Sequence, residues 1–211
     1  MGSTTKEIII EAAEQLFATY GFAATSLRQI TATAGVNLAA VNYHFRSKAA
    51  LIDMVLQRML VPLAEARLHN LERITAEATI PSLEEALRAY YLPFFELLDN
   101  RSAVGQRYRQ IFGRLANESN EEIRKSVAHY LTPVIEQYFS LLQQIVPHLS
   151  PDEFAWRFRA MHEIAATHFV ETIIPAPLPG STNSLSEASE QSFSWAMTYL
   201  AAAWRAAATE R

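Results

Sequence analysis

The chain has 211 residues, of which 50% are hydrophobic and 19% are charged, and this globular composition excludes a disordered protein. It contains no cysteine, which excludes disulfides and thiolate metal sites and favours a cytoplasmic protein. The net charge of −4 does not favour nucleic acid as a partner, and no apolar stretch reaches the ~18 residues that would predict a membrane-spanning helix.

Apolar residues at helical spacing predict three helices at the start of the chain. The first helix has an apolar face over residues 8–20, and Gly21 ends it. Thr25 and Ser26 offer hydroxyl oxygens that can cap a short second helix. Gly35 interrupts the apolar pattern, and a third short helix follows it.

The rest of the chain is also predicted to be helical. A long fourth helix begins after Ser47, is expected to kink rather than end at Pro62, and continues to Leu71. Residues 174–185 are rich in Pro, Gly and Ser and predict a loop. Because no strand-length stretch alternates apolar and polar residues, we expect an all-α fold of about nine helices. The remaining predicted helices cover residues 82–99, 103–117, 119–146, 151–173 and 186–208.

Residues 25–48, TSLRQITATAGVNLAAVNYHFRSK, have the pattern of a helix-turn-helix. Gly35 allows a tight turn, and Ile30 and Phe45 contribute to a small shared core. Residues 21–50 carry three basic side chains and no acidic one, which permits phosphate binding on an acidic protein. An ordinary helical hairpin explains the glycine and the apolar spacing equally well, so the pattern alone leaves both interpretations open.

The residues themselves resemble a known family. Residues 8–55 are similar to the DNA-binding domain of the TetR (tetracycline-repressor-type) family. The resemblance implies a DNA-binding transcriptional regulator, a repressor that binds a palindromic double-stranded DNA operator as a homodimer and is released by a small-molecule effector. The remainder of the chain matches the family only in being helical and of suitable length. The similar segments are AAEQLFATYGF at 12–22, TSLR at 25–28, AGV at 34–36 and VNYHFRSK at 41–48.

The resemblance also implies which residues contact DNA. The chemistry fits, because Asn42 can bind adenine through two hydrogen bonds and Leu38 suits a thymine methyl group. Asn42 stands where relatives commonly have an aromatic residue, so the operator contacts of other members are not transferable. By position, the residues that face bases are Asn37, Leu38, Ala39 and Asn42. Those that hold phosphates are Tyr43, His44 and Lys48, and those at the backbone or groove edge are Thr25, Ser26 and Arg28.

The resemblance divides the chain into a DNA-binding domain at 1–47 and an effector-binding and dimerisation domain at 48–211. Aromatic residues crowd the central helices, and a plain core explains most of them. A cavity among them favours an elongated or flat apolar molecule with one polar end. A family branch with a similar helix-turn-helix includes fatty-acid-responsive regulators, which implies an acyl chain or its thioester, with an aromatic compound as the alternative. The residues predicted to line the cavity are Tyr91, Phe95, Tyr108, Phe112, Tyr130, Trp156, His162 and Phe169.

The last two predicted helices combine small residues with large aromatic ones. A helix that is apolar on more than one side lies inside its own domain or against a partner. In the family, the last two helices of two chains form a four-helix dimer interface. The residues assigned to this interface here are Ala165, Trp195, Tyr199 and Ala202.

The sequence shows no catalytic or metal-binding motif, so we predict no enzymatic activity, no metal site and no cofactor. His162 and His168 are six residues apart, whereas a zinc-binding pair on a helix needs a spacing of about four. Two alternatives remain open. One is a helical enzyme that carries a helix-turn-helix, and the other is a DNA-binding regulator without a small-molecule effector.

Overall fold

The computed structural model describes residues 4–76, 79–98, 101–170 and 190–208, with only the backbone for 165–170. None of these residues lies in a β-strand, and none of their helices has the length and apolar character to span a membrane. The predicted all-α fold of about nine helices is confirmed, while the predicted loop at 174–185 lies outside the described residues. The helices are α1 (Thr5–Tyr20), α2 (Leu27–Ala34), α3 (Leu38–Phe45), α4 (Lys48–Thr75), α5 (Leu83–Leu97), α6 (Ala103–Ala116), α7 (Glu121–Ile145), α8 (Pro151–Val170) and α9 (Glu190–Arg205).

Side-chain caps and a glycine set the ends of α2 and α3. Ser26 and Gln29 form a capping box at the start of α2, with 2.7 Å between the Ser26 nitrogen and Gln29 Oε1. Gly35 ends α2 with a φ of +65°, a conformation that a side chain would strain. The side chain of Asn37 then accepts the Ala40 amide at 2.9 Å and starts α3. The predicted turn at Gly35 is therefore confirmed.

Helices α1, α2 and α3, which we call the head, share one apolar core with α4 and the rest of the chain, which we call the body. Phe17, Ile30 and Val41 come from the three helices of the head and are fully buried in this core. Helix α4 begins after its cap Ser47 and packs along α5 and α7. Pro62 lies inside α4 without ending it, as the apolar spacing predicted.

A polar contact between α1 and the body adds to this core. Glu14 on α1 is 1% exposed, and its carboxylate lies 3.6 Å from Arg58 Nε and 3.9 Å from Arg107 Nη1. Burial raises the pKa of Glu14, and the two arginines oppose this shift. Arg114 on α6 also donates to the Thr19 carbonyl at 2.9 Å. The head is thus joined to the body through both α4 and α6.

Helix α9 is held against α8 at its C-terminal end. Trp204 is buried there and meets Phe154 edge-on at 5.1 Å. Arg157 on α8 donates to the Ala203 carbonyl at 2.8 Å and to the Ala206 carbonyl at 3.0 Å. Because the last carbonyls of a helix have no donor within the helix, Arg157 acts as the cap of α9.

Candidate DNA-binding surface and ligand cluster

The predicted base-facing residues lie on the exposed side of α3. Leu38 is 42% exposed and Asn42 lies one turn later on the same face, beside Ala39, which is also exposed. On the opposite side of α3, Val41 and Phe45 are buried in the core of the head. The core therefore fixes the orientation of α3. The exposed face of α3, which carries both polar and apolar side chains, is accessible to a DNA groove.

Two predicted DNA contacts have structural roles in the head. Thr25 is 1% exposed, and its hydroxyl donates to the Gly21 carbonyl at 2.8 Å and lies 3.2 Å from the Leu16 carbonyl. Thr25 therefore fixes the connection between α1 and α2, and its prediction as a DNA contact is corrected. Asn37 is exposed; its amide oxygen accepts the Ala40 N–H, and its amide nitrogen has no hydrogen-bond partner among the described residues and can donate to a base.

The predicted phosphate-binding residues surround the exposed end of α3. Tyr43 is 83% exposed, and its ring meets His44 edge-on at 5.0 Å. Lys48 lies in the first turn of α4, and its Nζ donates to the Ala23 carbonyl at 3.3 Å. Partial burial lowers the pKa of Lys48. The exposed residues predicted to contact the DNA backbone from α2 are Ser26 and Arg28.

The sequence did not indicate the backbone conformation of Arg46. This residue ends α3 with a φ of 64° and a ψ of −38°, and it is the only residue other than glycine with a positive φ in the described parts of the chain. Glycine and asparagine are the usual signals for such a conformation, and neither is present here. Arg46 is exposed and adds a positive charge between the α3 surface and Lys48.

A polar cluster lies inside the body where α4, α5, α7 and α8 meet, and its central residue is Arg67. Arg67 is 4% exposed, and its Cζ lies 3.8 Å from the centroid of the Tyr90 ring. The Tyr138 hydroxyl donates to the Arg67 carbonyl at 2.9 Å. Among the described side chains, none forms an ion pair with Arg67. We call this group the Arg67 cluster, and its members are Arg67, Tyr90, Tyr91, Tyr138 and His162.

The hydrogen bonds of His162 define its protonation. Its Nδ1 lies 2.8 Å from the Phe158 carbonyl and must carry the proton, so its Nε2 accepts the Tyr90 hydroxyl at 2.6 Å. Burial lowers the pKa of His162 to about 4, and the ring is therefore neutral at neutral pH. The described residues include no group of three His, Asp or Glu side chains placed to hold a metal ion, and the side chain of His168 lies outside them.

Pro93 explains why α4 donates hydrogen bonds to α5. Proline has no N–H, so Pro93 leaves the Ala89 carbonyl without its helical donor. Asn70 on α4 donates to this carbonyl at 3.2 Å, and Arg67 Nε donates to the next one, that of Tyr90, at 2.9 Å. The Arg67 cluster thus joins α4, the helix that carries the head, to a proline-interrupted helix of the body.

Two further residues predicted for the effector cavity, Phe95 and Phe112, lie near the Arg67 cluster on α5 and α6. Phe112 meets Phe94 edge-on at 4.9 Å, and the Phe94 ring centroid is 5.9 Å from the Arg67 Cζ. Phe95 instead contacts Phe193 of α9 at 4.9 Å. Phe112 therefore approaches the Arg67 cluster through Phe94, whereas Phe95 faces the last helix.

The other predicted effector residues are dispersed. Trp156 is 69% exposed on the outside of α8, so its prediction as a cavity residue is corrected. Tyr108 is buried on α6 near the head, where burial and the charge of Glu14 raise its pKa. Tyr130 borders a separate groove between α4 and α7, and the side chain of Phe169 lies outside the described residues.

This groove has a volume of about 950 Å³ and opens beside the head, between the start of α4 and α7. The Asp53 carboxylate accepts hydrogen bonds from Ser126 and, at 3.2 Å, from the Tyr130 hydroxyl. Lys48 and His129 also line the groove. Sequence reasoning missed it because its walls come from segments that are far apart in the chain.

The outer face of α9 is rich in exposed aromatic residues. Trp195 is 55% exposed and Tyr199 is 62% exposed, and Ala202 continues the same face one turn later. Trp156 on the neighbouring helix α8 is also exposed. The side chain of Ala165, the fourth residue predicted for the dimer interface, lies outside the described residues. Exposed rings at this spacing are typical of an interaction surface.

Comparison with known proteins gives two family matches. Residues 9–55 match "Bacterial regulatory proteins, tetR family", and residues 88–203 match "Tetracyclin repressor-like, C-terminal domain". A relative named "Probable HTH-type transcriptional regulator YttP", from Bacillus subtilis (strain 168), is 29% identical over 131 residues. This match covers 62% of the present chain and 59% of the relative, which is less than two thirds of the relative's length.

Solved structures of similar fold include two regulators. The fatty acid degradation regulator FadR from Bacillus halodurans has a TM-score of 0.67 and 16% identity, and the match covers 97% of this chain and 98% of FadR. SmeT, the repressor of the Stenotrophomonas maltophilia multidrug efflux pump SmeDEF, has a TM-score of 0.63 and 20% identity, with coverage of 95% and 90%. Likeness at these identities concerns the fold alone. The two family matches, however, span the head and most of the body, and the chain therefore belongs to the TetR family of DNA-binding transcriptional regulators.

Proposed function

We propose that this regulator is a repressor that binds a palindromic double-stranded DNA operator as a homodimer and releases it when a small, largely apolar effector binds. The exposed face of α3, with Asn42 beside Leu38 in a segment without acidic residues, carries the proposal. In it, residues 1–47 are the DNA-binding domain and residues 48–211 bind the effector and dimerise. We propose that the protein acts in the cytoplasm, where its operator is located. We assign it no catalytic activity and no cofactor.

On the DNA side, phosphate contacts supply most of the affinity and α3 supplies the specificity. We assign adenine recognition to Asn42, and contacts with thymine methyl groups to Leu38 and Ala39. Lys48 suits a phosphate because its charge lies in the first turn of α4, where the helix dipole also favours an anion. Tyr43, His44 and the exposed Arg46 complete the phosphate contacts in this proposal.

The proposed homodimer forms through the outer faces of α8 and α9. The exposed rings of Trp195 and Tyr199 support this assignment, because apolar surface of this kind is costly to leave in water. Ala202 allows close approach of a second α9 beside these rings. Two-fold symmetry then presents two copies of α3 to half-sites ~34–36 Å apart, or a multiple of that distance.

The proposed effector acts on α4, which links the body to the head. A ligand that binds one arrangement of the body more tightly shifts the dimer towards that arrangement, and a changed spacing of the two heads releases the operator. FadR is described as a fatty acid degradation regulator and SmeT as the repressor of a multidrug efflux pump. Both descriptions support a regulator of this kind.

The proposal is tested with an operator selected from random duplexes by the purified full-length protein. We expect a palindromic motif, two chains per duplex in sedimentation, and a block of transcription in vitro when the operator overlaps a promoter. Long-chain acyl compounds or aromatic compounds should then release the operator, whereas sugars and amino acids should not. A motif without two-fold symmetry that binds one chain contradicts the homodimer. Release by a sugar or an amino acid alone contradicts the apolar effector, and release by no compound favours a regulator without an effector.

A further inference from the structure

Arg67 is a nearly buried cation that has no ion-pair partner among the described side chains. Its Nε donates to the Tyr90 carbonyl, whereas its two Nη atoms make no hydrogen bond to any described residue. The guanidinium lies over the Tyr90 ring and is 4% exposed. A charge withdrawn from water in this way is unfavourable unless an opposite charge compensates it. The two Nη atoms of this nearly buried guanidinium therefore have N–H groups available to a bound anion.

Tyr91 places a second unused donor in the same cluster. Its hydroxyl is buried and has no hydrogen-bond partner among the described residues. The Tyr91 ring meets the Tyr90 ring edge-on at 5.0 Å, and Arg67 lies over the face of that same Tyr90 ring. A buried hydroxyl without a partner lowers the stability of the free protein. A ligand that binds reversibly and accepts a hydrogen bond from Tyr91 would remove this cost.

The other polar groups of the cluster are already satisfied. His162 is neutral and uses both ring nitrogens, with Tyr90 as one of its partners. The Tyr138 hydroxyl donates to the Arg67 carbonyl. Within the cluster, only the Nη atoms of Arg67 and the hydroxyl of Tyr91 thus have no partner among the described residues. Both can donate hydrogen bonds, and Arg67 also carries a positive charge.

We infer that the Arg67 cluster binds the anionic end of the effector, a carboxylate on an otherwise apolar molecule, through Arg67 and Tyr91. The inference rests on the proposed effector response and names the chemistry of the effector. The two oxygens of a carboxylate match the paired N–H groups of a guanidinium, and the Tyr91 hydroxyl supplies a further donor. The Phe94 ring centroid lies 5.9 Å from Arg67 Cζ, and Phe112 packs edge-on against Phe94, so both rings suit the apolar part of the same molecule.

The position of Arg67 also connects this site to the head. Arg67 and Tyr91 are 4% and 1% exposed, so a carboxylate that reaches them has to displace neighbouring side chains or helices. Arg67 and Asn70 hold α4 against the carbonyls at the Pro93 interruption of α5. A bound carboxylate attracts the Arg67 guanidinium and competes with its hydrogen bond to the Tyr90 carbonyl. Loss of this bond shifts α4, whose first turn follows the DNA-binding helix α3.

The test compares carboxylic acids with the matching alcohols by isothermal titration calorimetry on the full-length protein. The pairs are decanoic acid with 1-decanol and 2-naphthoic acid with 2-naphthalenemethanol. We expect at least one acid to bind about tenfold or more tightly than its alcohol, because a charge-assisted pair is lost in the alcohol. Arg67→Met should remove this preference by weakening the acid alone.

Tyr91→Phe provides a variant that should fold. It removes an unpaired hydroxyl, so we expect an unchanged or higher Tm for the free protein together with weaker binding of the acid. Tyr20→Phe is the control with the same change of side chain, on α1 and outside the Arg67 cluster, and should leave acid binding unchanged. If Arg67→Met does not fold, Tyr91→Phe and the comparison of acids with alcohols decide the question.

Equal affinity for acid and alcohol, or no binding by either acid, overturns the inference. An uncharged apolar compound that releases the operator in that case leaves the proposed function intact. Conversely, an acid that binds through Arg67 without releasing the operator confirms the site and contradicts the proposed effector response. The two failures are therefore distinguishable.

Discussion

At the scale of single residues, His162 couples the stability of the body to pH. Burial lowers its pKa from the ordinary 6.5 to about 4. The unfolded chain therefore binds the proton more tightly than the folded one, so the contribution of neutral His162 is complete above pH 6.5 and is lost as the pH falls towards 4. We expect His162→Gln to reduce the loss of unfolding free energy between pH 7 and pH 5 by about 2 kcal/mol.

This prediction is checked by urea unfolding of the wild type and the variant at the two pH values. His129→Gln is the control, because His129 is an exposed histidine on α7, another helix of the body. The pH dependence of this control should equal that of the wild type. An unchanged pH dependence in His162→Gln would mean that the ring accepts a proton in the folded state as readily as in the unfolded chain.

Residue roles were predictable from the sequence only where local neighbours decide them. Thr25 and Ser26 are adjacent residues with hydroxyl groups, and the sequence predicts either of them as the cap of α2. In the structure Ser26 is the cap, whereas Thr25 is buried and its hydroxyl contacts the carbonyl of Leu16, nine residues earlier. Trp156 carries the same apolar signal as a core aromatic residue, but the rotation of α8 places it outside. The apolar periodicity of a sequence predicts which residues share a helix face, but where a helix has apolar residues on several sides, only tertiary packing determines which face is buried.

At the scale of helices, Arg157 is expected to control the docking of α9. Its guanidinium caps the C-terminal carbonyls of α9 and pairs with Glu153 at 2.6 Å, and its side chain is 11% exposed. We expect Arg157→Ala to increase amide hydrogen exchange in α9 and to weaken the dimer, since charge-assisted bonds to otherwise unpaired carbonyls are lost. Hydrogen exchange and sedimentation measure the two effects.

Arg205→Ala is the matched control for this prediction. Arg205 lies on α9 itself and pairs with Glu84 of α5, but both side chains are about half exposed, at 58% and 48%. Pairs of this kind contribute little to stability, so the control should leave exchange and dimerisation nearly unchanged. Equal effects of the two substitutions would show that the cap is not what holds α9.

The helices themselves were largely predictable because their signals are local. Gly21, Gly35 and the cap Ser47 end or begin helices where the sequence indicated, and Pro62 is tolerated inside α4. The role of Pro93 was not predictable. The donors that satisfy the interrupted α5 come from α4, some twenty residues earlier, and no local pattern connects the two segments.

At the scale of the whole molecule, the outer face of α9 is expected to decide whether the protein is a dimer. Trp195 is 55% exposed on this face, and a carboxylate there would be buried in the proposed interface. We expect Trp195→Glu to yield folded monomers in sedimentation and to weaken operator binding about 100-fold or more, because one head loses the advantage of two linked heads.

Ile80→Glu is the control for this substitution. Ile80 is 63% exposed and lies between α4 and α5, not on the faces of α8 and α9 that are assigned to the interface, so the same change in charge should leave the dimer and its operator affinity intact. A Trp195→Glu protein that remains a dimer would place the interface on another surface.

The central claim is that the exposed face of α3 recognises operator bases in two symmetric copies. Asn42 tests it most directly, since it is the amide at the centre of that face and has no role in the core of the head. Lys48→Ala serves as the comparison, because loss of a phosphate contact should weaken binding to all sequences alike and reduce its salt dependence.

The measurement is binding-site selection from random duplexes with the wild type and with Asn42→Ala. The wild type should select a palindrome, and the variant should select the same palindrome with relaxed preference at one base pair in each half-site, at a cost of about 1–3 kcal/mol per contact. An identical motif for both proteins, or a motif without two-fold symmetry, would contradict the claim.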